Sequence, residues 1–137
     1  MYPEEIVTPC REDLITAGFE DLRTASEVES ILDEKNGTVL VFVNSVCGCA
    51  AGSARPGAKL ALEHDPRPNR IATVFAGVDT EATAKARSYM TGYAPSSPAI
   101  ALFKGDQLVF LMERHMIEGR QPSEIAQVLT AAFDTYC

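Results

Sequence analysis

Apolar positions along the 137-residue chain alternate between helix-spaced stripes and short continuous runs. Thr8-Pro9 reads as an N-cap followed by proline at the first helical position, predicting a helix to about Ala17 that Gly18 ends. A brief extended piece follows near Phe19 to Leu22. Thr24 and Glu27 form a capping-box pattern, and Val28, Ile31 and Leu32 share one helical face, with Asn36-Gly37 as the stop. TVLVFVN, from Thr38 to Asn44, is continuously apolar and β-branched, as expected of a strand covered on both faces.

A helix is predicted next, running to about His64, weakened or kinked by Gly52, Pro56 and Gly57. Asp65 to Asn69 reads as a loop, and Ile71 to Val78 as a second buried strand. Asp79 or Thr80 caps a helix through about Met90, and Gly92 to Pro98 forms a loop. Ala99 to Phe103 and Gln107 to Met112 pair as a hairpin around Lys104-Gly105-Asp106. Pro122 starts the last helix, with Ile125, Val128, Leu129 and Phe133 inward. The order is α, short β, α, β, α, β, α, β, β, α. Buried strands alternating with helices imply a parallel βαβ half, and the closing hairpin adds an antiparallel edge. The expected architecture is α/β, a mixed central β-sheet flanked by helices on both faces, in one domain over residues 1–137.

Composition narrows the function classes. Hydrophobic and charged fractions of 46% and 23% are ordinary for a globular domain. A net charge of −7 argues against nucleic acid or an anionic membrane as partner, since both call for clustered Lys and Arg. MYPEEIVTPC lacks the positive start and apolar core of a targeting segment, and the longest apolar run is too short to cross a bilayer. A cytoplasmic protein is therefore expected, in a compartment where cysteines stay reduced unless they are redox-active or metal-bound. Cysteines at 10, 47, 49 and 137 form no disulfide framework, so the tight pair in VNSVCGCAAGSARPG needs its own explanation.

A strand-to-helix junction suits a thiol, because free backbone N–H groups and the helix dipole stabilise a thiolate there. Cys47 is thus the better attacker, and Cys49, within the first turn, can attack a mixed disulfide formed on Cys47. Side chains two residues apart on an ideal helix point about 200° apart, so a Cys47–Cys49 bridge requires non-helical backbone at Gly48. So small a ring is expected to be strained and oxidising. Buried structural cysteines and a metal site are the competing readings. Zinc needs four ligands, and Cys10, Cys137, His64 and His115 show no motif spacing to complete a set. No metal or bound cofactor is expected. A non-enzymatic thiol module, delivering metal or sensing redox state, stays open as the alternative class.

The element order, with cysteines where the first core strand meets its helix, looks like the thioredoxin fold. VNSVCGCAAG, then ARP, TVFAG, DTEATAKAR, TGY with PSSP, RHMIEG and LTAAFDTYC resemble the bacilliredoxin family over essentially the whole chain. That resemblance implies a small cytosolic thiol–disulfide oxidoreductase that removes bacillithiol, a low-molecular-weight thiol, from S-thiolated proteins, in some members with disulfide isomerase activity. It implies Cys47 as attacking and Cys49 as resolving cysteine. Cys137 matches the family's C-terminal cysteine, and Cys10 matches no element of it.

Ser97-Pro98 precedes a strand where thioredoxin-like folds place a cis-proline beside the active cysteines. A cis bond there would turn backbone near Ser97 toward the CGC, where it could pair with an extended substrate segment. Asn44 and Ser45 could hydrogen-bond the thiolate or the loop, or serve ordinary turn chemistry. Arg55 is read first as a solvated helix charge, and second as a cation that lowers the cysteine pKa or receives an anionic thiol ligand. Arg114 and His115 are read as surface or capping residues, and His64 as a helix-terminal cation.

Overall fold

The computed structural model describes residues 2–33 and 37–137. Helix α1 spans Glu4–Ile15, beginning before the Thr8-Pro9 pair. Pro3, extended at φ −62° and ψ 146°, is its N-cap, and Glu4 and Glu5 place negative charge at the positive end of the helix dipole. Pro9 lies inside, removing one backbone donor without ending the helix. Strand β1 (Glu20–Asp21) follows, then α2 (Ala25–Leu32), whose Thr24–Glu27 capping box is present as predicted. Helix α2 ends at Leu32, and Asn36, half of the predicted stop, lies outside the described residues.

Strand β2 (Thr38–Asn44) is buried along its whole length. After a short π-helical turn at Ala50–Ala54 come α3 (Arg55–Ala61) and β3 (Arg70–Phe75). Strand β3 stops before the predicted Val78 because Gly77, at φ +79°, turns the chain into α4 (Thr80–Ser88). Asp79 precedes α4 without capping it through its side chain; its carboxylate instead accepts a 2.7 Å hydrogen bond from Arg11 Nη1. Strands β4 (Ala99–Lys104) and β5 (Gln107–Met112) form the hairpin, and a one-turn helix, α5 (Arg114–Ile117), precedes α6 (Pro122–Tyr136). Helix α5 has no counterpart in the predicted order.

The sheet runs β1-β3-β2-β4-β5. Strand β3 is parallel to both β1 and β2, and β4 is antiparallel to β2 and β5. Successive side chains of each strand face opposite sides, which explains why the strands read as unbroken apolar runs. Leu40, Phe42, Ile100 and Leu102 pack against α1, α3 and α6. Val39, Val41, Val43, Ala101 and Phe103 pack against α2 and α4. Two core layers thus clamp β2, whose C-terminal end delivers the CGC.

Helix α3 is held close against α6 at Gly57, where a Cβ would stand 2.6 Å from Ile125 Cγ2 and 3.1 Å from the Pro122 carbonyl. Ser53 Oγ adds a 2.7 Å bond to the Arg120 carbonyl. The element that follows the cysteines is therefore anchored at both its start and its middle.

Candidate functional site: the CGC turn

Cys47 sits in a bend after β2, and the helical backbone begins at Gly48 and Cys49. Cys49 has φ −71° and ψ −25°. Because Cys47 precedes the first helical residue, the 200° separation of an ideal helix does not apply to the pair. Cys47 Sγ and Cys49 Sγ lie 2.7 Å apart as two free thiols, with Gly48 helical and exposed. In this dithiol form the contact is reached without the non-helical Gly48 expected for a bridge.

The turn that follows is wider than an α-helix. Pro56 has no N–H to bond back along the chain, and Arg55 N bonds the Ala50 carbonyl five residues earlier. The residues between, Ala50 to Ala54, are small and adapt to the wide turn.

The two thiols are displaced in opposite directions. Cys47 is pushed down, chiefly by the hydrogen bond from the Cys49 thiol, against a smaller desolvation effect. The backbone N–H groups of Cys49 and Ala50 and the charge of Arg114 add to this. Cys49 is pushed up, first by burial, then by its hydrogen bond to Cys47 and the nearby Cys47 charge. The direction for the pair is clear: the proton stays on Cys49 and the negative charge on Cys47.

A polar brace holds the bend. Ser45 Oγ accepts the Cys47 N–H at 2.9 Å, and Asn44 Oδ1 accepts the Ser45 N–H at 2.9 Å. Asn44 Nδ2 donates to the Cys10 carbonyl at 3.0 Å, tying the turn to α1. Asn44 and Ser45 thus serve the loop rather than the thiolate. Arg55 corrects the reading of a solvated charge: it is 4% exposed. Its donors go to Asn44 Oδ1 at 2.9 Å, the Ser45 carbonyl at 3.0 Å and Asp13 Oδ2 at 3.1 Å. Asp13, also bonded to Lys59 Nζ at 2.5 Å, is held below its usual range despite opposing desolvation; the Lys59 bond is the leading cause of that lowering and Arg55 adds to it.

The cation that favours the thiolates is Arg114, which reads from the sequence as a surface or capping residue because a one-turn helix leaves no periodic signal. Its Nη1 donates to the Ser97 carbonyl at 3.2 Å, its backbone N–H to Ser96 Oγ at 3.3 Å, and its Nε pairs with Glu118. The RHMIEG stretch was the available signal. Ser97-Pro98 is cis, as expected. Val43 pairs with Ala99, so Pro98 enters β4 beside the end of β2 that carries the CGC. Cys10 is half-buried on α1, Cys137 is exposed at the end of α6, and His64 pairs with Asp134. Among the described residues no group of three His, Cys, Asp or Glu side chains is placed to hold a metal ion, and no helix is long and apolar enough to cross a membrane.

Adjacent cysteines at the end of a central strand, beside a cis-proline on a mixed sheet, define a thiol–disulfide oxidoreductase of the thioredoxin fold. The reduced thioredoxin of Schistosoma mansoni superposes with a TM-score of 0.59 at 20% identity, covering 87% of this chain and 98% of that one. Thioredoxin from Trypanosoma brucei brucei also gives 0.59, at 18% identity over 86% and 93% of the two chains. The disulphide isomerase family model matches residues 2–137. Bacilliredoxins of Shouchella clausii and Cytophaga hutchinsonii are each 52% identical, over 136 and 134 residues. The matches cover 99% of this chain and 95% of the first, and 98% of both chains for the second. The chain belongs to this disulphide isomerase family, alongside the bacilliredoxins, and is a thiol–disulfide oxidoreductase.

Proposed function

We propose that this oxidoreductase releases a low-molecular-weight thiol from S-thiolated proteins, with Cys47 attacking and Cys49 resolving. The Cys47 thiolate attacks the small-thiol sulfur of the mixed disulfide, and the substrate protein leaves as its thiolate, taking a proton from solvent. Cys47 now carries the small thiol. Cys49, deprotonated, attacks Cys47 Sγ, the small thiol leaves as thiolate, and a Cys47–Cys49 disulfide remains. Two electrons have passed from the pair to the substrate, and a further dithiol reductant returns them. Bacillithiol or an analogue is the small thiol, and the reaction belongs to the reducing cytoplasm.

The observation that carries this reading is the opposed displacement of two thiols in contact. Cys49 stays protonated while Cys47 is a thiolate, so it does not compete for substrate. Once Cys47 is capped, its negative charge is gone, and two of the influences holding the proton on Cys49 go with it. Attack and resolution are thus ordered by the chemistry itself. Asn44, Ser45 and Arg55 hold Cys47 in position, and the Ser97-Pro98 segment faces an extended substrate chain. Gly48, whose missing side chain leaves open space, lets the substrate approach the sulfurs. Intact-protein mass spectrometry of the chain isolated from its own cells tests the reading. A single small-thiol adduct on Cys47 identifies the thiol, whereas a bound equivalent of Zn(II) or Cu(I) with no adduct contradicts it.

A further inference from the structure

Arg87, near the end of α4, is half-buried and forms no ion pair with any described residue. Its Nη2 donates to the Ser96 carbonyl at 3.2 Å. A guanidinium has five donors in a planar fork, so most of this one's capacity is unspent. Burial pulls its pKa down, as expected of a partly desolvated cation without a counter-ion. Arg55 and Arg11, which are more deeply buried, each have carboxylate partners.

Arg87 lines a cavity of about 100 Å³ together with Val43, Met90, Tyr93, Pro95 and Ser96. That volume is far below the roughly 300–1,000 Å³ that encloses a whole drug-sized ligand. It suits one planar anionic group entering between apolar walls. Ser96 connects the cavity to the thiols: its carbonyl takes Arg87 and its hydroxyl takes the Arg114 N–H. Arg87 and Arg114 therefore hold consecutive carbonyls, of Ser96 and Ser97, in the segment entering Pro98. Val43 places the cavity at the same end of β2 as the CGC turn.

A carboxylate matches this arrangement, because it accepts two parallel bonds from an arginine fork. The chain as a whole carries a net charge of −7 and repels anions, so an anionic ligand needs a local cation to stay. We propose that the cavity is a subsite for a carboxylate of the small thiol while that thiol is held as a mixed disulfide on Cys47, with Arg87 as its anion-binding residue. The proposal rests on the reading of Cys47 as the attacking cysteine.

The test is a thiol-exchange equilibrium in the Cys49→Ser background, where the mixed disulfide on Cys47 cannot be resolved. Cys47 capped by 2-mercaptoethanol plus glutathione exchanges to Cys47 capped by glutathione plus 2-mercaptoethanol, with one S–S bond broken and one formed. Glutathione carries carboxylates and 2-mercaptoethanol carries none. Intact mass gives the equilibrium constant directly. Adding Arg87→Gln, which is polar but neutral, should lower the constant about ten-fold, the loss expected for one charge-assisted bond. Arg87→Met should do the same, and Arg87→Lys should keep most of the preference. Because the constant compares two adducts on one protein, a general loosening of the loop cancels. A constant unchanged in Arg87→Gln overturns the subsite while leaving Cys47 as the attacking thiol. An equal loss in Arg87→Lys also overturns it, because the charge would then not matter. Failure of Cys47 to accept either adduct overturns both readings.

Discussion

Cys47 Sγ stands 2.7 Å from Cys49 Sγ, and their surroundings make the two thiols unequal: backbone N–H groups of Cys49 and Ala50 favour charge on Cys47, and burial opposes it first on Cys49. The Cys49 thiol is the leading cause of the Cys47 shift, ahead of backbone N–H groups and Arg114. Alkylation by iodoacetamide follows the thiolate, so a lowered pKa moves the rate profile of Cys47 toward lower pH and raises its rate at neutral pH. Cys49 should react only at more alkaline pH. Cys49→Ala should move the Cys47 profile upward, and Cys49→Ser, which keeps a donor, should move it less. Matching alkaline profiles for both cysteines would contradict the assignment.

Arg114 acts on the thiols through space and on Ser97 through a bond. Arg114→Met should raise the pH midpoint of Cys47 alkylation, and Arg114→Lys should restore it in part. Because the residue is exposed, the difference between wild type and Arg114→Met should shrink at high salt. A purely structural role for Arg114 would leave the midpoint in place, which pH-dependent alkylation at low and high salt would reveal.

Arg55 is buried among Asp13, Asn44 and Ser45, and its loss takes a donor from the Ser45 carbonyl and one of two partners each from Asn44 Oδ1 and the Asp13 carboxylate. Arg55→Met should cost about 1–3 kcal/mol of stability, as for a buried acceptor that loses its donor. Arg55→Lys should not rescue it, since an ammonium cannot reproduce the planar fork. Urea unfolding at constant slope measures the difference.

Gly57 and Gly52 lie close in sequence and should respond oppositely to alanine. A Cβ at Gly57 meets Ile125 and the Pro122 carbonyl, so Gly57→Ala should destabilise by about 1–3 kcal/mol. A Cβ at Gly52 meets nothing within 4 Å, so Gly52→Ala should be neutral or stabilising by up to about 1 kcal/mol. Thermal or urea unfolding of the two variants decides it.

What could be read in the residues was local. The Thr24–Glu27 box, the β2 run and the closing hairpin depend on neighbours in sequence, and all three are present. The CGC stood out because a strand-to-helix junction is legible without tertiary contacts. Thr8-Pro9 misled for the same reason: it has the form of a helix start, while Pro3 and two acidic residues begin α1 earlier. Arg55 looked solvated because its partners Asp13 and Asn44 arrive from other elements. Asp79 gave its carboxylate to Arg11, 68 residues away in sequence, rather than to the helix it precedes. Long-range polar partners decided these positions, and no periodicity announces them.

Intact-protein mass after one turnover with a small-thiol-modified substrate separates attack by Cys47 from resolution by Cys49. Cys49→Ser should stop as a stable mixed disulfide, one small-thiol mass heavier at Cys47, and Cys47→Ser should carry nothing. Cys10→Ser and Cys137→Ser should match wild type within about a few-fold, since neither thiol belongs to the CGC motif. An adduct trapped on Cys47→Ser but absent from Cys49→Ser would reverse the roles, and one trapped by Cys137→Ser would move resolution to the end of α6.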